Sequence, residues 1–199
     1  MDPQLRRLLL PPNKIQVQTM MPKPIAALYV SPRSIYKKMP GVDAWDEARD
    51  ATKWPGGTPA ILHPPCGQWG RLRQQSRACP TQKALALVAV EQVRKWGGVL
   101  EHPTGSSLWK EAGLPLPNFT DSQGGFTIQV DQLHWGHAAI KSTWLYIVGT
   151  ARRDIPPPAL SLQPPQKTVP DLSKTARAAT PSGFAEWLAA IARTCFVPR

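Results

Sequence analysis

Apolar residues along this chain gather into short runs bounded by proline and glycine, with one longer helical stretch among them. Residues 25–30, Ile-Ala-Ala-Leu-Tyr-Val, lie between Pro24 and Pro32 and predict a first strand. Val42-Asp43-Ala44-Trp45 predicts a second, with 46–52 a turn or short helix. Ala60-Ile61-Leu62, after Pro55-Gly56-Gly57, predicts a third. Residues 81–96 are rich in Ala, Leu and Val, open on Thr81 as a cap and stop at Gly97-Gly98, which predicts a helix. Val99-Leu100 then runs into Glu101-His102-Pro103, a strand with a polar tip. Residues 126–130 and 143–149 predict two more strands, with Gly136 between them.

Strand, helix and strand in succession, with polar residues at the strand ends, predict an α/β fold. The form expected is a truncated Rossmann-like domain, a mostly parallel sheet flanked by helices. Ligand sites in such sheets lie outside the carboxyl ends of the strands. Cys66 and Glu101 fall at two such ends, and a single crossover helix between them lets both tips share one crevice. The chain divides into a basic flexible arm over 1–24, the α/β core over 25–150, a Pro-rich connector over 151–179 and a C-terminal segment, 180–199, whose helix packs back on the core. That helix is expected over 184–194, with Thr180 as N-cap and Pro181 at the first helical position. Phe184, Leu188 and Ile191, with Trp187 alongside, form its packing stripe.

Composition narrows the setting. The 199 residues suit one domain with a core of its own. No run approaches the roughly 18 apolar residues of a membrane span. Pro11-Pro12 ends the Leu8-Leu9-Leu10 run too early for a signal peptide, so a soluble, cytoplasmic protein is expected. Cys66, Cys79 and Cys195 make no secreted disulfide framework and leave room for a reactive thiol. With 24 Lys and Arg against 13 Asp and Glu, the net charge of +11 favours a polyanionic partner, DNA first.

The stretch that carries most chemistry is Ala60-Ile61-Leu62-His63-Pro64-Pro65-Cys66-Gly67-Gln68-Trp69-Gly70. An apolar strand ends in two prolines that stiffen the turn and deliver one thiol to its mouth. Pro64-Pro65-Cys66 resembles the Pro-Cys nucleophile loop of the DNA cytosine-5 methyltransferases. Glu101-His102-Pro103 resembles that family's Glu-Asn-Val segment. Gly136 to Gly149 is similar to the family's glycine, its Gln-x-Arg-x-Arg motif and the strand that follows. Thr180-Pro181 and the last helix stand where the family's final motif returns to the core. The order agrees throughout, and the resemblance covers about 60–199 and little of 25–59.

The resemblance implies a covalent mechanism. Cys66 would be the thiolate that adds to carbon 6 of a flipped pyrimidine, Glu101 would hold the base edge and supply a proton, and Lys141 would orient the base or a phosphate. Pro65, His102, Arg71, Arg73 and Gly136 would line the substrate side. Apart from the resemblance, Arg71, Arg73 and Arg77 follow Cys66 closely, either to lower its pKa or hold phosphates, or as a solvated basic loop. S-adenosylmethionine would be the cofactor, with Asp43, Asp46 and Thr180 as its contacts, and DNA the partner. Such a compact form fits a phage protein working in the host cytoplasm. The chain also departs from the family. Ser31-Pro32-Arg33-Ser34 holds no glycine after the first strand, Ala139 and Thr143 replace the Gln and second Arg, and 151–179 is too short for a large target-recognition region.

Alternatives accompany this expectation. One is a non-catalytic DNA-binding protein derived from the same fold; another is a pyrimidine-modifying enzyme with a different donor. A zinc deaminase would draw on His63, Cys66, Cys79 and His102, but the sequence has neither a Pro-Cys-x-x-Cys pair nor a His-x-Glu, so no metal is expected. Trp69, Trp109 and Trp135 lie near the motifs, either to stack on an extruded base or to pack.

Overall fold

A computed structural model describes residues 21–70, 73–75, 79–168 and 170–198. Arg71, Arg77 and most of the expected N-terminal arm lie outside the described residues. The strands are β1 (Ile25–Leu28), β2 (Val42–Trp45), β3 (Ala60–Leu62), β4 (Gly98–Pro103), β5 (Phe126–Asp131) and β6 (Ser142–Val148). The helices are α1 (Thr81–Trp96), α2 (Leu108–Glu111), α3 (Lys174–Ala178) and α4 (Ser182–Thr194). One sheet runs β2-β1-β3-β4-β6-β5. Neighbours from β2 to β4 pair in parallel, and β6 is antiparallel to both β4 and β5. The fold is therefore α/β and Rossmann-like, with a mostly parallel sheet flanked by helices.

The central strands are apolar on both faces, so each face must be covered. On one face Ile25, Ala27, Ile61, Val99, Leu145 and Ile147 pack with Phe184, Leu188 and Ile191 of α4. On the other, Leu28, Leu62, Leu100 and Tyr146 pack with Ala86, Ala89, Val90 and Val93 of α1. Those four α1 positions recur at helical spacing, and two are alanines, so the helix lies close to the sheet. Burial of Ile61, Leu62 and Leu100, all fully covered, is worth on the order of 2 kcal/mol each. The α1-to-β4 turn needs glycine: Gly98 has φ +122°, and a Cβ there would meet the Ala60 carbonyl oxygen at 1.9 Å.

The chain leaves β1 for β2 on one side and returns to β3 on the other. The topological switch thus lies between the carboxyl ends of β1 and β3, where open α/β sheets bind ligands. Two helix caps differ from expectation. Pro80, not Thr81, precedes α1, and Thr81 is its first residue. At α4 the Pro181 carbonyl accepts the first helical bond from the Ala185 N–H at 3.0 Å, so Thr180 falls one residue outside and caps nothing. The Pro-rich segment after β6 is fastened rather than free-running: Trp187 donates to the Pro156 carbonyl at 2.9 Å, and the Gln166 and Lys167 N–H groups both donate to Ala138 at 3.0 Å. It also contains α3 and a buried Leu172, neither legible in its composition. Among the described residues no helix is long and apolar enough to cross a membrane.

Candidate functional site

The nucleophile turn is built from its own sequence. The His63 N–H extends the ladder to the Leu28 carbonyl at 3.1 Å, and the two prolines then deny the chain further strand bonds. The Cys66 carbonyl accepts from the N–H groups of Trp69 at 3.0 Å and Gly70 at 2.9 Å, closing a tight turn. Trp69 anchors that turn. It is fully buried, its indole N–H donates to the Lys83 carbonyl of α1 at 3.2 Å, and its carbonyl accepts from the Ser107 N–H at 2.9 Å. Cys66 itself is exposed, with Pro65 half-buried beside it. Enough protein still surrounds the sulfur that desolvation, and then the Glu101 charge, push the thiol above its ordinary value, with the Lys141 charge opposing.

Glu101 is the centre of a buried polar network. Its side chain is 13% exposed. One carboxylate oxygen accepts from His63 Nδ1 at 3.1 Å and the other from Gln132 Nε2 at 3.2 Å. Burial alone would raise this carboxyl; the His63 hydrogen bond and the charges of His63, Lys141 and His102 outweigh it and hold the group at about 2. Behind His63, its Nε2 lies 3.0 Å from the Tyr36 hydroxyl. Tyr36 is fully buried, and burial, then the Glu101 charge, lift its hydroxyl well above the ordinary range. It sits on a short 3-10 turn, Ile35–Lys38, whose start is fixed by Ser34 accepting from the Tyr36 N–H.

The far side of the network comes from the β5–β6 connection. Asp131 accepts from the N–H groups of Leu133 at 3.0 Å and Lys141 at 3.1 Å, which folds the 3-10 turn Gln132–Trp135 against the start of β6. Gly136 closes that turn at φ +91°. Gln132 then reaches both Glu101 and, at 3.0 Å, the Thr143 hydroxyl, which donates to the Lys141 carbonyl at 3.1 Å. The Lys141 ammonium donates to the Ala179 carbonyl at 3.4 Å, beside Thr180, and its charge acts on both Glu101 and Cys66. Cys66, Glu101 and Lys141 are thus brought into one electrostatic neighbourhood.

Other expected site residues stand apart. His102 alternates to the opposite face of β4 and is fully buried, edge-on to Trp109 at 6.3 Å. Neither of its ring nitrogens meets a partner in hydrogen-bonding geometry. Burial holds it neutral at about 4, against the opposing pull of Glu101 and the nearby Pro65 carbonyl. In this arrangement its ring lies on the face of β4 opposite the Glu101 carboxylate. Arg73 is exposed on the turn Arg73–Gln75, and Gly136 is exposed as well. Trp69 and Trp109 are buried, and Trp135 packs 4.7 Å from Trp187, so all three belong to the packing. A cavity of about 550 Å³, lined in part by Thr104, Lys110 and Trp144, opens just beyond the β4 tip. Among the described residues no three His, Cys, Asp or Glu side chains converge as a metal site: His63 is committed to Glu101 and Tyr36, and Cys79 pairs with the Thr81 hydroxyl.

The ends of β1 and β2 are built differently. Tyr29 stands where the chain turns, at φ +59°, with its hydroxyl donating to Gln92 of α1 at 2.8 Å. Asp46 directly follows β2, where doubly wound folds place a ribose-binding acid. Its carboxylate is occupied by the Lys37 ammonium and the Arg49 N–H; the Lys37 bond holds it below the ordinary range despite desolvation. Asp43 takes the Arg49 guanidinium at 2.6 Å and the Trp45 indole N–H at 2.7 Å, with Arg49 stacked 3.9 Å over Trp45. No glycine turn leads into a helix here, and both acids already hold internal partners. These residues do not form the adenosyl cradle that the family resemblance implies.

Sequence reasoning missed Tyr36 and Gln132, named Thr143 only as a departure from the family motif, and read His63 only as a metal donor. The available signal was His63 itself, a polar residue at the end of an otherwise apolar strand. No family model matches the chain, and no curated protein matches it.

Proposed function

We propose that this protein modifies pyrimidine bases in DNA by covalent catalysis, resembling the base-facing half of the DNA cytosine-5 methyltransferases. The observation that carries the reading is the placement of Cys66 and Glu101 at the carboxyl ends of adjacent parallel strands, β3 and β4, beside the topological switch. The Cys66 thiolate adds to carbon 6 of the base. A sulfur–carbon bond forms, and the C5=C6 electron pair moves through carbon 5 into the ring, where a proton balances the charge. Carbon 5 is then nucleophilic and takes an electrophile, at the simplest a proton from water. Loss of the original C5 hydrogen as a proton returns the pair to C5=C6 and expels the thiolate. Glu101 holds the base edge and passes the balancing proton, and Lys141 lowers the cost of negative charge on both. The net charge of +11 attracts the DNA strand, and three free thiols suit the reducing cytoplasm.

No step runs through S-adenosylmethionine, because the β1 and β2 ends do not fit it. The tied-off acids there favour the second reading, a DNA-binding protein that has lost its chemistry. Exchange of the C5 hydrogen of deoxycytidine or deoxyuridine in an oligonucleotide with solvent deuterium needs no donor and separates the two. Wild type is expected to exchange it and to form an adduct with 2-pyrimidinone DNA, visible by denaturing mass spectrometry. Cys66→Ser loses both. DNA binding with neither signal would leave the non-catalytic reading standing; an adduct retained in Cys66→Ser would remove Cys66 from the nucleophile role.

A further inference from the structure

Two described side chains hydrogen-bond the Glu101 carboxylate, and they differ in kind. Gln132 holds one oxygen through an amide that cannot titrate. His63 holds the other through an imidazole that can, and it reaches further back to Tyr36. We infer that His63 is a positioning residue which restores the proton Glu101 passes to the base, in a relay running Tyr36–His63–Glu101 along one face of the sheet. The inference rests on the proposed covalent chemistry.

Thiolate addition leaves one negative charge on the ring. Glu101 delivers a proton to the ring nitrogen, and the proton comes from His63 Nδ1. The Nδ1–H bond breaks, a carboxyl O–H forms and passes on, and imidazolium becomes imidazole. Collapse of the adduct returns the proton by the same path, so nothing is consumed. Tyr36 satisfies both states of the ring. Its oxygen accepts from Nε2–H in the imidazolium, and its hydroxyl donates to bare Nε2 in the imidazole. Neither form leaves a polar atom stranded at a site where His63 is 13% exposed and Tyr36 fully buried. The spacing is economical too. His63 lies three residues before Cys66, so one stiff turn fixes both the nucleophile and the proton holder.

Among the described side chains, Tyr36 from the 3-10 turn after β1 and Glu101 from β4 hydrogen-bond His63; Lys141, just before β6, and Cys66, from the same loop as His63, interact with Glu101 by charge, as does His102 from the other face. The α4 residues buried on this side are apolar: Phe184, Leu188 and Ile191 among them.

The test is the pH profile of C5-hydrogen exchange for wild type, His63→Gln and Tyr36→Phe, with circular dichroism to show that each variant folds. Gln at 63 keeps an N–H for Glu101 and cannot release a proton. Wild type should give a bell-shaped profile, because the addition needs both a thiolate and a proton donor. His63→Gln should lose about 100-fold at the optimum, as removal of a general acid does, and lose the falling limb. Tyr36→Phe should keep the limb, displaced, with a drop of about tenfold for one lost hydrogen bond. Wild-type exchange with His63→Gln unchanged in rate and profile would overturn the relay and leave the proposed function intact. No exchange by wild type would overturn both.

Discussion

The two ends of this crevice are made of similar residues put to opposite uses. At the tips of β3, β4 and β6, Glu101 is held by an imidazole and an amide, with an exposed thiol and an ammonium beside it. Within and just after β2, Asp43 and Asp46 are satisfied by Arg49, Trp45 and Lys37, all close in the chain. Glu101 receives its donors from β3 and from the β5–β6 connection, so the fold fixes its geometry. Asp43 and Asp46 receive theirs from residues within nine positions along the chain. An acid held from several elements is preorganised for something outside itself. An acid neutralised by its own loop has stabilised that loop and little more.

The largest expected effect breaks the comparison if it fails. Glu101→Gln should cut C5-hydrogen exchange by about 100-fold or more, the scale of losing a general acid–base group. It should also raise the rate of Cys66 alkylation by iodoacetamide at neutral pH, because the Glu101 charge helps push that thiol up. Two measurements thus move in opposite directions on one substitution. Asp46→Asn should change neither by more than about twofold, since Asp46 bonds Lys37 and the Arg49 N–H and is not among the charges that act on Glu101 or Cys66. It should show only a lower thermal midpoint. Equal losses from both substitutions would mean that the two ends work as one site.

Much of this architecture was legible because the chain punctuates itself. Ala60-Ile61-Leu62 and the helix 81–96 are bounded by Pro and Gly on sharp apolar runs, and both were predicted to the residue. The direction of β6 was not legible, since an apolar run carries no arrow; its reversal follows from the β5–β6 hairpin-like connection. Cys66 and Glu101 showed because each sits next to a strand end. Tyr36 lay hidden in the polar, basic stretch 31–40, on a 3-10 turn too short to show periodicity. The His63 partners stand 27 and 38 residues away, so no local spacing announces them.

Acid stability sharpens the contrast on a smaller scale. Glu101 sits at about 2 when folded and near 4.5 when unfolded. Its share of stability is complete above the unfolded value and is lost as pH falls toward the folded one. That share is on the order of 3 kcal/mol, lost between about pH 5 and 2. Chemical denaturation of wild type and Glu101→Gln across that window should show the wild-type slope and a flatter variant. Parallel curves would mean that His63 and Gln132 do not hold the carboxylate in solution.

The smallest effect at neutral pH concerns His102, the residue next to Glu101 on the opposite face. It is neutral when folded, with its value lowered by burial to about 4, while the unfolded chain binds a proton below 6.5. Stability must therefore fall as pH drops from 6.5 to 4, by on the order of 3 kcal/mol. His102→Leu removes two unpartnered nitrogens and also the edge-on contact with Trp109. The first change is worth about 1–3 kcal/mol and the second opposes it by about 1, so near pH 7.5 the variant should lie close to wild type. Below pH 6.5 the curves should separate, with the leucine variant the more stable. C5-hydrogen exchange at pH 7.5 should survive, because the substituted side chain packs on Trp109, on the face of β4 opposite Glu101. A variant that is stable yet inactive would instead bring His102 into contact with substrate, as the family resemblance implied, and would require the β4 tip to turn when the base enters.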